Sequence, residues 1–200
     1  MEDSVPNPVL IMDYANMYCG AAPDAEAASN HLVLTEVKLP ALDVVYAEHR
    51  AAGAPIPLEI STAMAHLECT FVMVGLTPQV MELLDSWITS ERHFFIYGNV
   101  RDQLTGIAYQ AAAAFVGQLG RADPTNWRKG DVGHTNYAIR GISHYEYMIA
   151  DDPVYYWDFF NNMRIVGGAN QNIDINSNLM VSTAGPEYLL RNFQEALNPQ

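Results

Sequence analysis

The stretch TEVKLPALDVVYAEHRAAGAPIPLEISTAMAHLECTFVMVG, Thr35–Gly75, decides how the chain is read. At its start, within Leu32–Leu39, Val33, Val37 and Leu39 fall on one side and Glu36 and Lys38 on the other. That is the period-two pattern of a half-buried strand, and Pro40 closes it. At its end, Leu67, Cys69, Phe71 and Met73 alternate with Glu68, Thr70, Val72 and Val74. The second face is also rather apolar, as it is in a strand covered on both sides. Between them runs a long irregular arm carrying Gly53, Pro55 and Pro57. Ile56, Leu58 and Ile60 alternate with Pro57 and Glu59, so the return limb is extended, and the proline confines it to an edge or an unpaired segment. A connection of this length inside a compact domain usually works outside that domain, so the arm is read as the part that reaches another molecule.

Bulk composition points the same way. The chain of 200 residues suits one domain, residues 1–180, with the arm at 40–60 and a C-terminal extension at 181–200. Half the residues are hydrophobic and 16% are charged, below the roughly 25% usual for soluble domains. Such a surface expects cover, and copies of the chain are the obvious cover. With 10 Lys and Arg against 23 Asp and Glu, the net charge of −13 argues against a grip on nucleic acid. The two cysteines, Cys19 and Cys69, sit in or beside apolar runs and read as small buried hydrophobes, with a disulfide within or between subunits as the alternative. The opening MEDSVPNPVLIMDY is acidic where a secretory leader is basic, and no run is long enough to span a membrane, so a soluble chain is expected.

Along the chain, Val9–Cys19 reads as a first strand after the Pro6 and Pro8 lead, and AAPDAEAASN as a loop. Thr77 and Pro78 predict a helix to about Ser90, with Val80, Met81, Leu84, Trp87 and Ile88 as its apolar stripe. His93–Tyr97 is a short strand turned by Gly98 and Asn99. The segment TGIAYQAAAAFVGQL favours helix through its alanines and strand through Ile107, Tyr109, Phe115 and Val116; strand is chosen. Gly120–Gly133 reads as a polar loop containing Trp127. Residues 135 to 166 read as one long hairpin about Asp151, Asp152 and Pro153, with Tyr137, Ile139, Tyr145, Tyr147 and Ile149 opposing Asn136, Arg140, His144 and Glu146. NQNIDINSN is expected to be polar and extended, and Gly185-Pro186 to start a short amphipathic helix through Leu189, Phe193 and Leu197.

The search for chemistry comes back empty. The six histidines are scattered without an i, i+4 pair, and no CxxC, GxSxG or Walker lysine occurs. No catalytic, cofactor or metal site is expected. Asp151-Asp152 beside Pro153 is a solvated turn, and the aromatic rows lack the interleaved Lys and Arg of a base-stacking surface.

In the order of its features the chain resembles the major tail tube proteins of contractile-tailed bacteriophages. EVKLPAL is followed by the arm YAEHRAAGAPIPLEI, and ECTFVMVGLTPQVMELL runs a strand ending in glycine into a helix. HFFIYGNV, HYEYMI and NNMRIVGG follow before an Asn-rich tail, so the match covers the chain up to Asn178. The Ala111–Ala114 run, the Asp123–Gly130 loop and the Gly185–Leu197 helix depart from it. The resemblance implies a mainly β (α+β) fold, a β-sandwich or barrel-like tail tube domain with one flanking helix and an extra short C-terminal helix. It implies hexameric rings whose strands join in a ring-wide inner β-barrel and stack inside the contractile sheath. The partners would be copies of itself, the sheath, baseplate and tail terminator proteins, and double-stranded DNA as passing cargo. No membrane would be bound. The protein would be made in the bacterial cytoplasm and reside in the virion.

Inter-subunit contact is expected of Asp43, Val44, Tyr46, Glu48, Arg50, Pro55 and Pro57. An acidic bore repels DNA phosphates, and Glu36, Glu68 and Glu146, on the polar faces of their strands, are the candidate lining acids. The tube of a headless contractile bacteriocin or injection system is the alternative setting. A small acid/base hydrolase is the alternative of another class.

Overall fold

The computed structural model describes residues 9–20, 29–85, 91–126, 128–181 and 185–197. Among the described residues eleven strands and three short α-helices follow one another: β1 Leu10–Cys19, β2 Leu34–Lys38, β3 Val44–His49, β4 Leu58–Met64, β5 Cys69–Val74, α1 Pro78–Met81, β6 Arg92–Asp102, β7 Ala108–Pro124, β8 His134–Ile149, β9 Asp152–Asp158, β10 Met163–Val166, β11 Ala169–Asn170, α2 Ile173–Asn178 and α3 Leu189–Leu197. The fold is mostly antiparallel β with a short C-terminal helix, and the described strands do not close into a barrel. Nine strands form one sheet in the order β1-β6-β7-β8-β9-β10-β11, with β5 and then β2 branching from β8; β3 and β4 form a separate pair.

The branch arises within β8. Its first half, residues 134–139, pairs with β5, and its second half, from His144 onward, pairs with β9, while β7 follows both halves. Between the halves Gly141 takes a left-handed φ of 58° that a β-carbon would strain, and the β7–β8 register shifts opposite Gly117. One bent strand thus serves two layers. The core lies between them: Phe71, Phe94, Phe115, Tyr137 and Ile139 are almost wholly buried, with Phe71 stacked on Tyr137 at 4.9 Å.

Several expectations are met by the same physics that suggested them. In β5 Cys69, Phe71 and Met73 are buried and Thr70, Val72 and Val74 half-covered, as the alternation required. β2 turns Val37 toward the core. The alanine run forms strand because Ala111–Ala114 is paired on both sides, with β6 and with β8, and pairing outweighs the helical preference of alanine. All four are buried.

Elsewhere tertiary pairing overrode local signals. Gly98 and Asn99 do not turn the chain: they lie inside the 11-residue β6, held between β1 and β7. Residues 120–124, read as loop, continue β7 to 17 residues. The second limb of the long hairpin is two strands, β9 and β10, because Asp158 folds back on Asn161 through a backbone amide and a side-chain bond. NQNIDINSN is not extended but carries α2. The Thr77 helix is one α turn followed by a 3-10 turn over Glu82–Asp85, and the Thr77 hydroxyl makes no capping bond. Trp87, Ile88, Ser90, Trp127, Pro6, Pro8 and residues 21–28 lie outside the described residues.

The face of the large sheet opposite the core is covered by α3. Leu190 and Phe193 are fully buried against Phe95, Ala112, Ala114 and Met148, with Phe95 stacked on Phe193 at 4.0 Å. The C-terminal helix therefore packs on the domain rather than standing apart from it.

Candidate functional site: an exposed hairpin and open sheet edges

The arm is not irregular. Val44–His49 and Leu58–Met64 pair antiparallel from Val44 opposite Met64 to His49 opposite Leu58, with a bulge beside Tyr46. The base closes where the Ala65 amide donates to the Asp43 carbonyl at 2.8 Å. Pro55 and Pro57, which predict an unpaired segment, lie in the turn, outside the ladder.

Every residue of both strands is exposed. Pairing puts Val45, Ala47, Leu58 and Ile60 on one face, with His49 opposite Leu58 at its tip end, Leu58 being 64% and Ile60 46% exposed. The other face carries Tyr46, Ser61, Glu48 and Glu59, with Val44 and Met64 at the base. Glu48 lies directly across from Glu59, a like-charge pair that Arg50 relieves by bonding Glu48 at 3.1–3.2 Å. Two strands without a core are marginal in water, so this amphipathic ribbon is built for burial against something else.

Of the expected arm residues, Val44, Tyr46 and Glu48 lie on β3, Asp43 at its base, and Arg50, Pro55 and Pro57 in the turn, all exposed. The apolar face was only half anticipated: Leu58 and Ile60 were noted, whereas Val45 and Ala47 carry the same period-two signal on the outward limb.

A second feature is the state of the sheet edges. Among the described residues β1 pairs with β6, apart from a bridge between Tyr18 and Ser29, and β2 pairs with β5 alone. Leu10, Ile11, Met12 and Tyr14 are exposed along the first half of β1, Tyr14 at 76%. An open edge lined with apolar side chains is a template for another strand.

The three candidate lining acids do not gather on one surface. Glu36 and Glu68 share the outer face of the β2–β5 layer, where Arg140 bonds Glu68 at 3.0 Å. Glu146 is a correction: it is not on a solvated polar face but 0% exposed. Its carboxylate accepts from His144 Nε2 at 2.8 Å and from the backbone amides of Leu189 and, at 3.3 Å, Leu190 at the start of α3. Asp158 stands 3.6 Å from the other ring nitrogen of His144. Period-two alternation assigned Glu146 to the correct face of β8; what covers that face lies 43 residues away in sequence.

The His144, Glu146 and Asp158 group is buried beneath α3 and away from solvent. Among the described residues no cluster of His, Cys, Asp or Glu is placed to hold a metal. Burial pushes the Cys19 thiol up to about 12 and raises Cys69 as well, so neither is a ready nucleophile. Among the described residues no helix is long and apolar enough to cross a membrane.

A β-rich unit with open edges and a projecting apolar ribbon has the form of an assembly subunit. The chain belongs to the family of the phage tail tube protein FII, whose model matches residues 25–179. No curated protein matches it. Membership assigns it a structural role in a bacteriophage tail tube, within the virion, through association with copies of itself.

Proposed function

We propose that this chain forms hexameric rings that stack into a hollow tube inside a contractile sheath and conduct double-stranded DNA into the host. The observation that carries this reading is the hairpin Val44–Met64, exposed throughout yet apolar along one face. Within a ring, the open edge of β1 joins a neighbour's sheet, which would bring exposed Ile11, Met12 and Tyr14 under cover. Between rings, the hairpin lies against the subunit above or below. Closed symmetry satisfies both sets of surfaces without leaving a templating edge.

The net charge of −13 suits a wall that DNA must slide past rather than bind. Glu36 is the foremost candidate for that wall; Glu68, neutralised by Arg140, contributes less. Sheath, baseplate and terminator proteins complete the partner set. The tube of a headless injection system would use the same surfaces, and neighbouring capsid genes separate the two settings. The hydrolase alternative is not favoured by the one carboxylate–imidazole group among the described residues, His144 with Glu146 and Asp158, because it is buried beneath α3.

Negative-stain electron microscopy of the purified chain tests the proposal. Rings or tubes of uniform width are expected. A monodisperse monomer at every concentration overturns it. Reversing Glu36 to Lys in assembled particles is expected to impair DNA delivery, and unchanged delivery removes that residue from the wall.

A further inference from the structure

Beside the bend in β8 a groove of about 290 Å³ opens between Tyr155 and Trp157 on one wall and Met64, His66 and Leu67, the root of the hairpin, on the other, with Gly141 in its lining. It falls just short of the pockets that take drug-sized ligands, and its lining suits aliphatic side chains. Arg164 on β10 stands directly across from Trp157 on β9, so the two side chains share a face. Its Nε is buried without a hydrogen-bond partner, and among the described residues no carboxylate pairs with it. A guanidinium donor shut away from water and left unpaired is costly. With 23 Asp and Glu in the chain, a second copy has carboxylates to offer.

The far end of the hairpin has the complementary chemistry. Ile56 in its turn is 76% exposed and Leu58, where β4 begins, is bare as well. Beside them Glu48 and Glu59 face each other across the ladder, and Arg50 bonds only Glu48. Glu59 is left with a like charge opposite and no cation among the described residues. The groove thus has an apolar lining and a cation without an acid, and the tip has apolar side chains and an acid without a cation. One copy cannot join the two, because the seven residues of β4 hold tip and root roughly 20 Å apart.

We propose that the hairpin tip of one copy docks in the root groove of the next, with Ile56 and Leu58 in the cavity and Glu59 paired to Arg164. This rests on the reading that the chain forms a tube, and it names the surface that receives the hairpin. Entering end-on, the ribbon turns its two faces to the two walls: Leu58 meets Met64 and Leu67, and Glu59 meets β10. The contact is heterologous, and each copy that receives a tip still extends its own. Such a contact repeats along a line without closing, which is the geometry of rings stacked into a tube.

A charge exchange in the full chain tests the docking. Glu59→Arg and Arg164→Glu, each alone, are expected to raise the protein concentration needed for tubes by about tenfold or more, and the double variant to return it to within about threefold of the parent. Single variants that polymerise like the parent, or a double variant no better than either, overturn the docking; so does an effect confined to sheath attachment. Should Arg164→Glu not fold, proximity decides instead. Chains carrying Ile56→Cys are co-assembled with chains carrying His66→Cys and treated with a bismaleimide too short to span one hairpin. Cys19 and Cys69 are buried and their thiols raised, so they stay unmodified. Products joining one chain of each kind support the docking, and their absence from well-formed tubes rules it out. If the wild-type chain forms no tubes at all, the tube reading fails first and the docking falls with it.

Discussion

The hairpin β3–β4 and the strand that follows it, β5, lie a few residues apart and are both rich in apolar side chains, yet they meet opposite fates. In β5 alternate residues vanish into the core between the two layers; in the hairpin every residue faces solvent. Burial of an apolar side chain is worth about 1.5–3 kcal/mol, and the hairpin collects almost none of it within the chain. Stability is therefore concentrated in the body, and the apolar content of the hairpin makes sense only in an assembly. Alternation marks a strand but does not say what will cover it.

Excising the hairpin gives the largest expected effect. Asp43 and Ala65 are already hydrogen-bonded neighbours, so a short Gly-Ser link can replace Val44–Met64. Tubes should be lost from electron micrographs while the melting transition stays cooperative and near that of the parent. Normal tubes from this variant would break the comparison. Matched truncations sharpen it next. Phe71→Ala should cost about 3–5 kcal/mol in denaturant unfolding, since Phe71 is stacked on Tyr137 in the core. Leu58→Ala, on the exposed ribbon, should change stability by less than about 0.5 kcal/mol while raising the concentration needed for assembly.

Glu146→Ala comes next. Removing this carboxylate leaves two helix amides and His144 without their acceptor, a loss of about 2–3 kcal/mol. Faster hydrogen exchange at Leu189 and Leu190 would locate the loss at α3. The smallest effect belongs to Asp13 on β1, whose carboxyl is held below the usual carboxylate range by a hydrogen bond from Arg101 at 2.9 Å. A depressed carboxyl contributes stability above its unfolded value, near pH 3.9, and loses it as pH falls through its folded one. Asp13→Asn should therefore unfold like the parent in strong acid and be slightly less stable at neutral pH. Unfolding curves across that range check the sign.

How much of this was legible in the sequence depended on whether the deciding partner was near or far. β2, β5 and the β8–β9 turn were read correctly because alternation and Asp-Asp-Pro are local signals. The strand over Ala111–Ala114 was chosen against propensity and holds because both neighbours pair with it. Gly98-Asn99 was misread because a glycine flanked by two pairing strands can remain in a strand; here Met12 packs its sulfur over the place where a side chain would stand. The arm was found, but its ladder was not, since prolines at the tip say nothing about pairing at the base. Glu146 failed for a related reason: the face was right, and the helix that hides it comes from the far end of the chain.

The bend at Gly141 has a mechanical consequence. Because β8 and its companion β7 run through both layers, the layers are joined by continuous backbone and not merely by interlocking side chains. Force that pries one layer from the other must stretch covalent chain. Under torsion or recoil such a particle should give way along its seams, leaving each building block whole.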